Sequence, residues 1–443
     1  MGLLDATLGR IDVRRFAGWV RGDHLGLNIP AKPAGLRAGG PNFLTAAFRA
    51  SGMLPSDNAV AAIVRFEELS VGGTGRKLVL SVAYERSGTD LPTELFVKFS
   101  RNSDDPARDR LRYHMREEIM LALVSRGPGF PVRVPRCMFA DFHEETGTGI
   151  LITERVLYGE GGVETCHVKC QDYDLDDPLD HYRTIVRALA SLAGAFKAGA
   201  MAQDVYRFFP TGSPNIFDNY HTPSRGEILA KIDGIEAFGL RHPNLIYRGN
   251  GTESLFEKLR SDLAVLVEDE RLIRGAMLAD PGSVSLCHFN ANIDNAWFWT
   301  DEEGNRHCGL LDWGMVGQMH VAQALWGSLS GAEAEVWDDH LEELIAEFVR
   351  AYHAFGGPVL EIRKLKTHLF LLAIYMGLAS LLDAPARILH EIPRLRPQAT
   401  RFDSEFDLCE NARVQLHILN NVLRIWEKLD LSELRGGSWR VRK

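Results

Sequence analysis

The chain lacks the features that mark a secreted, membrane-spanning or nucleic-acid-binding protein. Its 443 residues include six cysteines, too few and too scattered for a disulfide framework. The net charge of −9 argues against a nucleic-acid groove or an anionic membrane surface as the partner. The most apolar run, residues 369–382, is shorter than the roughly 20 residues that span a bilayer and predicts a buried helix. The N-terminus lacks the apolar core of a signal peptide, so we expect a cytoplasmic protein.

The cysteines come close together only at Cys166 and Cys170, in the run Cys-His-Val-Lys-Cys. A zinc site would need more ligands at paired spacing, and no second cysteine pair follows in the chain. We therefore expect reduced thiols here, as in a cytoplasmic protein, and no metal.

The residue pattern divides the chain into three parts. Residues 1–41 form an N-terminal extension that ends in a linker rich in glycine and proline over 28–41. Residues 42–157 begin with a helix over 43–51 and are otherwise rich in strand-forming residues. Residues 158–443 have mostly the 3.6-residue apolar spacing of helices. The predicted strands are 60–69, 77–84, 94–99, 138–141 and 149–155, with a helix over 112–124 after the third; the predicted later helices are 181–199, 254–268, 336–355, 362–383 and 406–428.

Two short motifs after residue 286 contain the polar side chains most suggestive of chemistry. The first runs from Cys287 to Asn295 and includes His288 and Asn290; the second is Leu-Asp-Trp-Gly, with Asp312 after an apolar strand. A carboxylate and an amide oxygen together suit a hard cation such as Mg²⁺. Asn295 and Asp312 are therefore the predicted metal ligands.

A second group of candidate residues lies in the strand-rich part. Lys98 stands among apolar residues on a predicted internal strand, where a buried ammonium needs an acidic partner or phosphate oxygens. The turn before the preceding strand contains four residues, Gly72, Gly73, Thr74 and Gly75, whose backbone could approach a phosphate closely.

These motifs and their order resemble the aminoglycoside phosphotransferase and choline kinase family, including its ecdysteroid-kinase-like branch, over residues 42–350. The resemblance implies an α+β, protein-kinase-like two-lobe fold, with a small antiparallel sheet before a larger, mostly helical lobe. It also implies ATP and Mg²⁺ as cofactors and phosphorylation of a hydroxyl group on a small molecule.

The resemblance assigns a nucleotide role to several residues. Lys98 would contact the phosphates and pair with Glu117 on the next helix, with Glu118 as the alternative. Glu154 and Val156 would lie at the adenine hinge, at the end of the fifth strand.

The catalytic loop departs from the family pattern at its central position. The family has aspartate as the residue that accepts the substrate proton, and this chain has Asn290, although His288 and Asn295 keep the expected spacing. Two further family positions are changed, to Asn292 and Gln323. The nucleotide and metal residues are thus retained, whereas those near the substrate differ.

Four hypotheses follow from the change at residue 290. The protein is a working small-molecule kinase in which Asp294 or the substrate compensates; or it binds nucleotide with little or no transfer, as a pseudokinase does. Alternatively, the fold serves other chemistry, such as nucleotidyl transfer, or Asn290 is an engineered substitution of a normal kinase. The changes at Asn292 and Gln323 argue against an engineered substitution.

The substrate is constrained only by aromatic residues near the catalytic region. If Trp297, Trp299, Trp326 or Trp337 lined the pocket, an apolar or aromatic alcohol would fit; the alternative is that they belong to the core. The choice between ATP and GTP and the oligomeric state do not follow from the residues.

Overall fold

A computed structural model describes residues 18–69, 75–88, 90–101, 114–210, 221–249 and 254–431. These residues form two compact units. The first contains the described residues up to Leu157 together with residues 202–208 and 311–316, and the second contains the rest.

The first unit is built on a five-stranded antiparallel sheet with strand order β3-β4-β5-β7-β6. A short hairpin and a helix come before the sheet in the chain, and one helix lies between its third and fourth strands. The elements are β1 Trp19–Arg21, β2 Asn28–Pro30, α1 Pro33–Ala50, β3 Val60–Leu69, β4 Lys77–Tyr84, β5 Glu94–Phe99, α2 His114–Val124, β6 Cys137–His143, β7 Thr148–Glu154 and the short α4 Gln203–Phe208.

The core of this unit follows from alternation along the strands. Leu78, Leu80 and Val82 on β4 recur at every second position and are buried on one face of the sheet, because successive side chains on a strand point to opposite faces. Leu44 and Phe48 of α1 pack into the same core.

The N-terminal segment is more ordered than predicted. The linker prediction for residues 28–41 is wrong, since β2 occupies Asn28–Pro30 and α1 begins at Pro33. Pro33 is tolerated in the first turn of the helix, where its missing N–H would have no partner. Gly40 adopts φ +53° and kinks the helix just before Pro41.

The second unit is mostly helical. Two antiparallel pairs of short strands, β8 with β11 and β9 with β10, interrupt the helices. Its elements are α3 Pro178–Lys197, α5 Arg225–Arg241, α6 Leu255–Glu268, α7 Glu270–Leu278, β8 Val284–Cys287, β9 Ala296–Thr300, β10 Arg306–Leu310, β11 Gly317–His320, α8 Val321–Leu329, α9 Leu341–Ala354, α10 Ile362–Ser380, α11 Ala384–Glu391, α12 Ser404–Leu408 and α13 Glu410–Lys428.

The helices differ from prediction mainly where the backbone changes conformation. The helix predicted over 336–355 begins with a π-helical turn at Val336–His340, and the one predicted over 406–428 is broken at Cys409. Helices α5, α7, α8 and α11 are not predicted, because their apolar spacing is short or interrupted. The predicted α+β fold class, with a small antiparallel sheet before a larger and mostly helical part, is confirmed by the five-stranded sheet and the helical second unit.

The apolar run at 369–382 lies largely in α10, where its side chains are mostly buried, as predicted. No single helix in the described ranges is long and apolar enough to cross a bilayer. Helices α10 and α11 together meet the length and composition criteria, but a 53° bend separates them.

The hairpin of β1 and β2 is held to the sheet by one fully buried carboxylate. Asp141 on β6 accepts hydrogen bonds from the backbone N–H groups of His24 and Leu25, at 3.0 and 3.1 Å, and from that of Phe142. A side chain at position 22 would collide with this carboxylate, so Gly22 permits the close approach.

We expect Asp141→Ala to lower the free energy of unfolding by about 2–4 kcal/mol, because it leaves several backbone donors without an acceptor. Urea unfolding of the full chain measures the change. Asp57→Ala is the control; this exposed carboxylate pairs with Arg86, and its loss should cost no more than about 1 kcal/mol. Equal stability of the two variants would contradict the role assigned to Asp141.

Candidate functional site

The first unit contains a buried cluster of one ammonium and two carboxylates. Lys98 on β5 donates to Glu118 Oε2 on α2 and to Asp312 Oδ1, at 2.6 Å in both cases. Lys98 and Glu118 are buried, and the Asp312 side chain is about a quarter exposed, at 26%. The sequence therefore brings together three charges from distant positions at the end of an apolar strand.

The partner of Lys98 on the helix is Glu118, so the prediction of Glu117 is wrong and its alternative is correct. Successive helical residues are about 100° apart around the axis, since a turn takes 3.6 residues. Glu117 consequently points to another side of α2, where burial raises the pKa of its carboxyl.

Two carboxylates share one ammonium, which leaves the cluster with an excess of negative charge. Burial alone would lower the pKa of Lys98, but Glu118 and Asp312 outweigh this effect and raise it. Burial raises the pKa of Glu118, and the nearby charge of Asp312 adds to the rise although Lys98 opposes it. A cluster with this balance is suited to a further cation.

The backbone around Asp312 is held in an uncommon conformation. Asp312 has φ +52° and Met315 has φ +72°, in the left-handed region that non-glycine residues rarely adopt. Such conformations cost free energy and persist where the surrounding structure imposes them, often at functional sites.

Of the predicted phosphate turn, only Gly75 falls within the described ranges; Gly72, Gly73 and Thr74 lie outside them. Gly75 has φ +129°, and a Cβ there would lie 2.3 Å from the carbonyl oxygen of Phe99. This turn residue therefore lies directly against the end of the strand that contains Lys98, and it must be glycine.

At the predicted hinge, the sheet ends at Glu154. The backbone N–H of Glu154 donates to the carbonyl of Arg136, and its side chain accepts from the N–H of Arg136, at 2.8 and 2.9 Å. The N–H of Arg155 donates to the carbonyl of Glu94. Val156 is the next residue, beyond the last strand.

In the second unit, the predicted catalytic loop is stiffened by hydrogen bonds among its own residues. His288 is fully buried, and its Nδ1 accepts from the backbone N–H of Asn290 at 3.0 Å. Asn295 Nδ2 donates to the carbonyl oxygen of Asn290 at 2.8 Å, and the N–H of Asn295 donates to the carbonyl of Asn292 at 2.9 Å. These hydrogen bonds define the shape of the loop backbone.

The orientation of the Asn290 side chain follows from its neighbours. Asn292 Oδ1 accepts from the Ser330 hydroxyl at 3.4 Å, so its Nδ2 end donates to Asn290 Oδ1 at 2.8 Å. With its oxygen so engaged, Asn290 has an NH₂ group as the other end of its amide. An NH₂ group donates hydrogen bonds and takes no proton from a hydroxyl.

Helix α8 packs against the backbone of this loop. A Cβ at Gly327 would lie 1.6 Å from the carbonyl oxygen of Phe289, so only glycine allows this approach. Gln323, at the changed family position, is fully buried and caps the same helix: its Oε1 accepts from the backbone N–H of His320 at 3.2 Å. Gln323 therefore stabilises the first turn of helix α8.

Asp294 lies in a region of negative charge that the sequence did not reveal. Its carboxylate contributes to raising the pKa of Tyr158 and of Asp172. Asp172 is buried and accepts from the Tyr182 hydroxyl. Burial above all, with the charges of Glu333 and Asp294, raises the pKa of Asp172 to about 7. The sequence signal for this negatively charged region is a set of acidic residues over 172–177, and such sets are common on protein surfaces.

Most of the candidate tryptophans belong to the core. Trp297, Trp326 and Trp337 are buried; the rings of the last two lie 6.0 Å apart, and Trp337 Nε1 donates to the carbonyl of Leu329 at 3.1 Å. Trp299 is partly exposed and stacks on His307. These contacts favour the core interpretation over an aromatic pocket.

The donor atoms of the two predicted metal ligands fit a hard cation chemically. Asp312 offers a carboxylate whose Oδ1 faces Lys98, and the hydrogen bond made by Asn295 Nδ2 leaves its amide oxygen as the ligating atom. The two residues belong to different units of the chain.

No protein-family model and no curated protein matches the chain. Among solved structures, it is similar to an ethanolamine kinase of Plasmodium vivax, at 13% identity over 82% of this chain and 83% of that chain, with a TM-score of 0.42. It is similar to a microcompartment-associated aminopropanol kinase, at 11% identity over 89% and 99%, with a TM-score of 0.42. The GDP complex of an aminoglycoside 2'-phosphotransferase IIIa variant matches at 12% identity over 82% and 93%, with a TM-score of 0.40. Likeness at these values concerns the fold alone.

We expect Lys98→Met to lower the free energy of unfolding by about 3–5 kcal/mol, because it leaves buried carboxylates without their cation. Adding Glu118→Gln should recover part of that loss, since it removes one of the uncompensated charges. Adding Glu117→Gln instead is the matched control and should not recover it. Urea unfolding of the three variants measures the effect, and equal rescue by both glutamines would contradict the assigned pair.

Proposed function

We propose that the protein transfers a phosphoryl group from magnesium-bound ATP to a hydroxyl group of a small molecule. The observation that supports this proposal best is the buried Lys98 ammonium, held at 2.6 Å by both Glu118 and Asp312. A structural core would be served as well by an apolar residue at 98, because burying ions costs free energy even when they are paired. A phosphate-binding role gives a reason for the ion.

In this proposal, Lys98 binds the nucleotide phosphates, and Glu118 holds it in place. Gly75 keeps its own backbone close to the end of the lysine strand, where it can approach the phosphates. Asp312 and Asn295 hold Mg²⁺, and Glu154 and Val156 lie at the adenine. Bound magnesium nucleotide supplies the phosphoryl group and neutralises charge that develops on it.

The hydroxyl group is oriented by the loop from His288 to Asn295. Asn290 donates a hydrogen bond to the hydroxyl oxygen through its NH₂ group and positions it for attack. Asp294 takes the proton directly or through water, because Asn290 has no basic atom to offer. Since phosphoryl transfer depends mainly on positioning and electrostatics, the loss of the usual base slows the reaction without abolishing it.

The charges around Asp294 favour an alcohol that also has an amino group. The charges of Glu333 and Asp294 both add to the raised pKa of Asp172, although Arg401, which pairs with Glu333 at 2.6 Å, opposes the rise. Trp326 and Trp337 are buried in the core. A protonated amine would offset this negative charge. An amino alcohol therefore fits better than the apolar or aromatic alcohol considered from the sequence.

A second candidate function is nucleotide binding without transfer. The observation that favours it is the orientation of Asn290, whose oxygen is occupied by Asn292 and whose NH₂ group takes no proton. Such a protein would bind magnesium nucleotide as a sensor or scaffold.

We expect ATP with Mg²⁺ to raise the melting temperature of the full chain, and ATP without Mg²⁺ to raise it less. A ligand at one hundred times its Kd stabilises by about 2.7 kcal/mol, which a melting experiment resolves. Asp312→Asn should lose the part that depends on Mg²⁺, because the amide has no charge. Asp383→Asn, which removes another aspartate paired with a lysine at 2.9 Å, is the matched control.

A shift that persists unchanged in Asp312→Asn would contradict the metal assignment. The absence of any shift with ATP or GTP would exclude both candidate functions.

We expect Asn290→Asp to raise kcat for phosphorylation of an amino alcohol by about 10²-fold or more, because a positioned general base contributes about 10²–10⁴-fold. Phosphorylated product and ADP release, measured over a panel of amino alcohols and uncharged alcohols, give the rate. Asn292→Asp adds the same charge two residues away and should not raise it. In the unchanged protein, Asp294→Asn should slow the reaction by about 10²–10⁴-fold, because it removes the proposed base. Transfer unaffected by both Asn290→Asp and Asp294→Asn would contradict the proposed roles.

A further inference from the structure

A cluster of two histidines and one glutamate in the second unit lies outside the proposed catalytic machinery. Glu164 Oε2 is 2.8 Å from His181 Nε2 and 3.1 Å from His167 Nε2, and the three atoms lie within 4.8 Å of one another. His181 is on helix α3, and the other two residues are in the segment before it. The same carboxylate oxygen thus faces two imidazole nitrogens.

The other ring nitrogen of His181 determines what can lie between these atoms. His181 Nδ1 is 2.6 Å from the carbonyl oxygen of Asp177, which only accepts hydrogen bonds, so Nδ1 must hold the proton. In a neutral ring, Nε2 is then an unprotonated acceptor that faces a carboxylate oxygen at 2.8 Å. Two acceptors at this distance repel each other, and the arrangement therefore requires a cation between them: a second proton on the ring or a metal ion.

The surroundings of the cluster match those of a metal site. A ligating histidine usually donates its other N–H to a carbonyl or carboxylate, as His181 does to Asp177, and a ligating carboxylate is itself hydrogen-bonded. Arg306 Nε donates to the second oxygen of Glu164 at 3.0 Å. The Phe298 ring packs against both histidine rings, with centroids 5.4 and 4.7 Å away, and shields one side from water.

The His167 ring is oriented toward the cluster. Its Nε2 atom lies 3.1 Å from Glu164 Oε2. The His167 side chain is about one-tenth exposed, at 10%, and that of Glu164 26% exposed, so an ion can enter from solvent.

We infer that Glu164, His167 and His181 bind one divalent transition-metal ion, with zinc as the expected ion and water as its fourth ligand. Two imidazoles and a carboxylate suit zinc better than Mg²⁺ or Ca²⁺, which take oxygen ligands. Tetrahedral zinc with bonds of about 2.0–2.2 Å separates its ligand atoms by roughly 3.4 Å. The separations of 2.8 and 3.1 Å would need to open by about 0.6 and 0.3 Å to reach this value.

The neighbouring cysteines are not part of this site. The Cys166 thiol points to the carbonyl of its neighbour His167 at 3.7 Å, and Cys170 is buried. Burial raises the pKa of both thiols, so neither is a ready thiolate ligand. The expectation of reduced thiols stands, and the ligands missing from the Cys-His-Val-Lys-Cys run come from residues on either side of it.

The ion would fix the segment before α3 to the strand pair of β9 and β10. Val163 forms an isolated bridge with Trp299, and the N–H of Glu164 donates to the carbonyl of Phe298 at 2.9 Å. Arg306 on β10 also pairs with Asp180 of α3. The ion would therefore link these elements of the second unit, and none of its three ligands belongs to the proposed nucleotide-binding residues.

The test measures metal content and stability on the full chain. Elemental analysis after removal of metal by a chelator, addition of zinc and dialysis should give about one zinc per chain, and zinc should raise the melting temperature of the metal-free protein. Cobalt(II) at the same site should give visible absorption bands of tetrahedral intensity. None of these readouts depends on phosphotransferase activity.

His167→Asn and His181→Asn should each weaken zinc binding by more than about 100-fold, because each removes a ligand. His307→Asn is the matched control, since His307 also faces a carboxylate, that of Asp301 at 2.7 Å, but belongs to no cluster of three ligands among the described residues. His167→Asn keeps the more buried His181, so a folded variant is expected. No metal and no zinc-dependent shift in the unchanged protein would overturn the inference. Zinc bound equally by both ligand variants would overturn it too.

Discussion

Burying one ammonium group in an apolar sheet constrains much of the first unit. Lys98 occupies a strand position at which its neighbours Val97 and Phe99 are buried, so its charge must be met by acidic groups within the protein. Glu118 meets it from α2, and Asp312 meets it from a segment far along the chain with a left-handed backbone. The ion requires that helix α2 present Glu118 to it and that the backbone at Asp312 hold its carboxylate nearby. Gly75 lies against the end of the same strand.

The catalytic loop shows a different kind of constraint, in which polar side chains fix one another. Asn290 is not the aspartate that the sequence resemblance implies, yet hydrogen bonds connect it to Asn292, Asn295 and His288. Helix α8 presses on the same backbone at Gly327. The geometry is therefore kept while the acid–base property of the central residue is lost. This separation of shape from chemistry is why a slow transferase and a nucleotide-binding protein are the two functions that compete.

The strands were predictable because each is a short run rich in apolar and β-branched residues, and turn residues separate several of these runs. The three strands from Val60 to Phe99 have the predicted bounds, and helix α2 ends at the predicted residue. The linker prediction was wrong because glycine and proline at Pro33 and Gly40 begin and kink a helix here. The choice of Glu117 was wrong because adjacent residues of a helix point in directions about 100° apart. The apolar spacing of a short helix does not show which of two adjacent glutamates faces the sheet.

The sequence alone determined the fold class, the strand positions and the identity of the residues at the kinase-like motifs, because these depend on local periodicity and on spacing within short segments. Tertiary structure decided which groups meet. Glu164, His167 and His181 come together through a loop that folds back on a helix, and Asp172 acquires its raised pKa only by burial next to other acidic groups. Such contacts depend on how distant segments pack, and packing is a property of the whole folded unit that no local pattern contains.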